Sequence, residues 1–250
     1  MWIFLNHVEP VDYRITALEN DIILPWTLRN SITSVAHAWK AWNILTPTEL
    51  CDEVDKDDIK RFTLHFHGPE GSGKTMTALH LAEHIGFPYF QMGPEDFVHP
   101  EVLNSMIDQI LRLGHQWRSV LILDNMDHLV QRRKRSSDEW RMIERVKYLL
   151  NSHRGLKILT TRDDPENLIY PIVDTAGHHF AFPKLPRDGR MLAWKRGLES
   201  RGAAHGIVLR AANGLADHDL NGKEINKVVK EVRYPVSFFL LSSSLSSEMH

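Results

Sequence analysis

The stretch His65 to Gly86, HFHGPEGSGKTMTALHLAEHIG, passes from an aromatic, apolar segment through a glycine-rich turn into a helical pattern. Arg61 to His67 ends at a glycine, as a buried strand does. In the turn, Gly68, Pro69, Glu70, Gly71, Ser72, Gly73, Lys74 and Thr75 spell G-x-x-x-x-G-K-T, the P-loop. Glycines let successive backbone N–H groups converge on phosphate oxygens, and the helix that follows adds the positive end of its dipole. Lys74 is the mobile charge for the β- and γ-phosphates, and the Thr75 hydroxyl is the Mg2+ ligand. A glycine turn without function is the competing reading; the strand directly upstream and the helix directly downstream favour ATP and Mg2+ as cofactors.

Outward from this stretch, strand and helix patterns alternate. FPYFQM is a short strand candidate, Glu101 to Leu113 a helix, and Ser119 to Leu123 a continuous apolar strand of the parallel-sheet type. A helix from Asp138 to Leu150 and a strand from Lys157 to Thr161 follow. This order predicts an α/β fold, a parallel sheet flanked by helices. The strand ending at Leu123 runs into Asp124, and an acid at that end of a parallel strand lies beside the P-loop, in the Walker B arrangement, where it holds the metal's water shell.

Upstream, Leu28, Ile32, Val35, Trp39 and Trp42 recur at helical spacing between Thr27 and Asn43, before an acid-rich connector from Thr46 to Lys60. Beyond Phe182 helical stretches at Gly189 to Ser200, Gly206 to Ala212 and Gly222 to Val232 predict a small lid. The domain plan is therefore a helical approach and linker over 1–60, a nucleotide core over 61–183, a lid over 184–233 and a frayed, serine-rich tail over 234–250.

With 250 residues, 42% hydrophobic and 25% charged, the composition is that of a globular chain of one to two domains and excludes collagen, coiled coil and wholesale disorder. A formal charge of −2 provides no general attraction to nucleic acid or anionic membranes. The single cysteine, Cys51, cannot form an intramolecular disulfide. No secretory signal or spanning apolar run is visible, so the expected location is intracellular, cytoplasmic or nuclear.

Four stretches, HFHGPEGSGKTMTA, LGHQWRSVLILDNMDHLVQRR, GLKILTT and DLNGKEINKVV, resemble AAA+ ATPases in order and spacing, and specifically the AAA proteins of filamentous fungi. The resemblance covers about Phe62 to Lys230. It implies a five-stranded parallel sheet with a helical lid, ATP hydrolysis, assembly into a ring with copies of itself or related AAA+ subunits, and a protein substrate or partner. It assigns catalytic positions to Asp124, Asn125 and Arg162, and a phosphate contact in the lid to Lys223, for which a solvated helix lysine is the bland alternative.

Three departures weaken the expected hydrolysis. The family's catalytic glutamate is Asn125 here, and an amide orients water but cannot accept its proton. The fourth strand's sensor asparagine is Arg162, a residue suited to sensing charge. VDTAGHHFAF, Val173 to Phe182, lacks the arginine finger, a group that contributes on the order of 10³ to 10⁵ in rate in related phosphoryl-transfer enzymes. DNMD and ILTTRD also resemble NB-ARC signalling NTPases, which makes a nucleotide-gated module the alternative function.

Weaker signals carry less. His65 with His67, and His80 with His84, have ligand-like spacing without acids or cysteines to complete a metal site. Arg132 to Arg135 reads as a solvated loop rather than a nucleic-acid contact, Phe97 as a packed aromatic, and Trp117 as core.

Overall fold

The computed structural model describes residues 22–45, 62–97, 100–203 and 205–231. The acidic connector with Cys51, Val98 and the serine-rich tail lie outside them. Two compact units result: residues up to Pro69 with Lys74–Phe182, and Glu70–Gly73 with those from Pro183 onward.

The first unit comprises α1 (Trp26–Leu45), β1 (Thr63–His67), α2 (Lys74–Ile85), β2 (Tyr89–Met92), α3 (Pro100–Trp117), β3 (Val120–Leu123), α4 (Asp127–Val130), α5 (Ser137–Ser152), β4 (Lys157–Thr160), α6 (Tyr170–Val173) and β5 (His178–Ala181). Its strands make one five-stranded parallel sheet in the order β2-β3-β4-β1-β5, the expected α/β architecture. In register, Phe66 pairs with Thr160 and Leu123 with Leu159, which brings the C-terminal ends of β1, β3 and β4 side by side. Ligand sites form at such ends in open parallel sheets.

Strand period sorts the side chains to two faces. Leu64, Phe66, Ile122 and Ile158 pack with Ala78, Leu81 and Ile85 of α2 and Ile32, Ala36 and Trp39 of α1. Leu121, Leu123 and Leu159 face the other way, against Leu103, Ile107, Ile143, Val146 and Leu149. Each buried Leu, Ile or Phe among them contributes about 1.5–3 kcal/mol relative to exposure, and a sheet covered on both faces selects the unbroken apolar run of β3. Trp39 meets Phe87 edge-on, with centroids 4.8 Å apart, which seats α1 on this core. The start of α5 is fixed by a capping box in which Ser136 accepts from the Glu139 amide and the Glu139 carboxylate accepts from the Ser136 amide.

Trp117 corrects its sequence reading. It is 38% exposed and stacks on Phe90 at 6.0 Å, because it is the last residue of α3, where no following turn covers it. Phe97 is fully buried, as a packed aromatic should be.

The second unit holds α7 (Arg187–Glu199), α8 (His205–Leu215) and α9 (Gly222–Glu231) around Trp194, Ala212, Ile225 and Val229. Gly197, in the last turn of α7, is explained by this packing, since a Cβ there would lie 2.8 Å from Val229 Cγ2. Asn221 caps α9: its Oδ1 accepts from the Glu224 amide at 3.0 Å while the Glu224 carboxylate accepts from the Asn221 amide at 2.7 Å. The tip of the glycine-rich loop belongs to this unit, with the Gly222 amide donating to Gly71 O at 3.1 Å.

Candidate functional site

β1 delivers the chain to Gly68, whose φ of +133° suits glycine and whose absent Cβ would sit 2.2 Å from Phe182 O. Lys74 opens α2, is largely buried, and donates to Gly68 O at 2.6 Å and Pro69 O at 2.8 Å. A buried ammonium folded back on its own loop's carbonyls has donors ready to exchange for phosphate oxygens.

Next in the chain, the Thr75 hydroxyl donates to Asp124 Oδ1 at 2.8 Å. The same oxygen accepts from the Thr160 hydroxyl at 2.6 Å, and Gln91 Nε2 lies 3.5 Å from Oδ2. Thr160 in turn accepts from the Asn125 amide at 2.8 Å, so one hydroxyl ties the ends of β3 and β4 together. A carboxylate with hydroxyls around it fits Mg2+, which keeps most of its waters and takes few protein ligands. Among the described residues no group of three or more His, Cys, Asp or Glu is placed to hold a metal.

Asn125 has a φ of +55°, a left-handed conformation that asparagine tolerates better than other side chains. Asp127, buried at the start of α4, accepts through Oδ1 from the Arg162 amide at 2.5 Å and the Asp163 amide at 3.3 Å. Its Oδ2 makes an ion pair at 3.4 Å with Arg162 Nε, whose side chain is 58% exposed. Arg162, the expected sensor, is thus fixed at its backbone while its guanidinium is open to solvent.

In the second unit, Gly71 at φ +71° lies so close to Asn221 that a Cβ would be 2.2 Å from Asn221 Oδ1. Lys223 Nζ donates to Glu70 Oε1 at 2.6 Å, both side chains well exposed. The lid lysine therefore meets a carboxylate of the P-loop tip.

Sequence reasoning brought Lys74, Thr75 and Asp124 together, and so does the structure. It gave no role to Thr160 or Gln91. The paired threonines of ILTTRD were the available signal, since alternate residues leaving a strand face opposite ways. No helix among the described residues is long and apolar enough to cross a membrane.

Residues 64–184, just under half of the chain, match the family described as ATPase family associated with various cellular activities (AAA). Among solved structures, PCH-2 of C. elegans is similar with a TM-score of 0.63 at 16% identity, over 88% of this chain and 68% of that one. At that identity the likeness is one of fold. No curated protein matches the sequence.

Proposed function

We propose that the chain binds ATP with Mg2+ at the P-loop and hydrolyses it slowly, as a divergent AAA+ ATPase of the fungal type. One observation carries this reading: Thr75, next to Lys74 in the chain, is bonded to Asp124, so the hydroxyl and the carboxylate that would ligate the metal lie together one residue from the lysine that would meet the phosphates. Gly68 to Thr75 would cradle the phosphates, Lys74 would give up its two carbonyls for phosphate oxygens, and Thr75 and Asp124 would hold the metal. The metal supplies charge neutralisation and orientation of the phosphoryl group. Asn125 orients water without taking its proton, and Arg162 supplies positive charge beside Asp127.

The Asn125 amide also favours a second reading, a nucleotide-gated signalling or scaffold module, NB-ARC-like or a pseudo-ATPase, that binds ATP and is read by a protein partner. In either case the partners are further copies or related AAA+ subunits in a ring and a protein substrate, the near-neutral charge offering no general attraction to nucleic acid, and the location is inside the cell. Paired measurements of ATP affinity and turnover decide between them. Turnover abolished by Lys74→Ala supports the enzyme; tight ATP binding without turnover supports the module. If Lys74→Ala leaves ATP affinity unchanged, both readings fall.

A further inference from the structure

The β1 face opposite α1 and α2 carries Thr63, His65 and His67, all buried. Buried polar residues in the central part of a sheet need partners. His65 Nε2 lies 2.7 Å from Thr161 Oγ1, and its Nδ1 lies 3.0 Å from Nδ1 of His179 on β5. Thr161 spends its one hydroxyl proton on Asp163 O at 2.9 Å. The network therefore assigns the His65 proton to Nε2, donating to Thr161, and leaves Nδ1 to accept from His179. Burial first, then His179 and His67, push His65 down to about 3, so it stays neutral and keeps this tautomer. Two residues along the same face, His67 Nδ1 lies 2.8 Å from Asp164 Oδ1 and donates to it.

The run Thr160 to Asp164 is consequently gripped from both sides. On one side Thr160 bonds Asp124, and Asp127 takes the Arg162 and Asp163 amides. On the other, His65 bonds Thr161 and His67 bonds Asp164. Arg162 is the central residue of this strip.

We propose that His65 and His67 are positioning residues for Arg162, holding its backbone from behind the sheet so that the guanidinium reads the third phosphate, and that they thereby set the preference for ATP over ADP. The inference rests on the nucleotide-binding reading above. A guanidinium contributes to discrimination only where its backbone is fixed, since displacement by about 1 Å costs on the order of 100-fold in well-oriented sites. No proton transfer by either histidine is involved.

The test compares dissociation constants of Mg-ATP and Mg-ADP, by calorimetry, for the wild type, His65→Leu, His65→Gln, Thr161→Val, His67→Leu and Arg162→Ala. His65→Leu should weaken ATP about tenfold while ADP stays within about twofold, because the P-loop is untouched; His67→Leu should shift the ratio the same way. His65→Gln, which keeps an N–H at the position of Nε2, should restore the wild-type ratio. Adding Arg162→Ala to His65→Leu should cost nothing further, the mark of two residues acting as one unit. Thr161→Val reads the same contact from the loop, so the test survives if His65→Leu does not fold. A wild-type ATP to ADP ratio in both His65→Leu and Thr161→Val, or an equal loss of both nucleotides, overturns the proposal. Failure of the wild type to bind either nucleotide is a different result: it overturns the nucleotide reading itself.

Discussion

At the scale of one residue, Asn125 joins chemistry to backbone. Its left-handed φ of +55° is held by its backbone N–H, which donates a hydrogen bond to Thr160 Oγ1. A glutamate there gains a base, worth typically 10² to 10⁴ in rate, but is forced into a conformation that costs about 1–2 kcal/mol. Asn125→Glu should therefore raise turnover at saturating ATP and lower the melting temperature together, whereas Asn125→Gly should keep stability and gain no turnover. Steady-state assays and thermal melts on the three proteins read this directly; unchanged turnover in Asn125→Glu would place the limit at the missing arginine finger. Thr160 carries a matching prediction. Thr160→Val strips the Asn125 amide of its acceptor and Asp124 of a donor, a loss of about 1–3 kcal/mol that urea denaturation should detect.

At the scale of elements, α9 shows how one residue serves two structures. Asn221 caps the helix and its side chain fills the space beside Gly71. Asn221→Ala removes the cap and should cost about 1 kcal/mol, or about 2–4 °C in melting temperature for a chain of this size. Gly71→Ala should cost more, since its φ of +71° remains strained even when Asn221 is shortened. Absence of any further loss on adding Gly71→Ala to Asn221→Ala would show that the clash, not the backbone, sets the cost. The elements themselves are legible because their signals are local: the apolar run of β3, the glycines before Lys74, and the helical stretch from Gly222 each follow from neighbours in the chain. Partners distant in sequence were not. Thr160 meets Asp124 from 36 positions away and Lys223 meets Glu70 from 153, and composition around either residue records neither encounter. Trp117 failed for a related reason, since an apolar residue at a helix end is core only if elements distant in sequence cover it, and it remains 38% exposed.

At the scale of the whole molecule, buried titratable groups give the fold a pH dependence separable into two windows. Burial, with nearby positive charge or imidazoles, lowers His65 and His153 from 6.5 to about 3, and burial alone lowers Lys157 from 10.5 to about 7. His153 accepts through Nδ1 from the Gly155 amide at 3.1 Å, and Lys157 donates to His153 O at 3.1 Å. In every case the unfolded chain holds the proton more tightly than the folded one. Stability must then rise with pH wherever only the unfolded state is protonated: between about 3 and 6.5 for the histidines, and between about 7 and 10.5 for Lys157. Below the lower bound of each window the cost of charging the buried group is fully present. Melting temperatures measured from pH 4 to 10 should accordingly climb across both windows, and comparison with single variants removes the background from surface carboxylates. Lys157→Met should flatten the alkaline rise and be the more stable protein at neutral pH, because an ammonium buried in the sheet is replaced by an apolar chain of similar length. His65→Gln should leave the alkaline rise intact and make the acidic one shallower, with His153 supplying what remains. Curves for both variants that run parallel to the wild type would mean that neither group changes its proton affinity on folding.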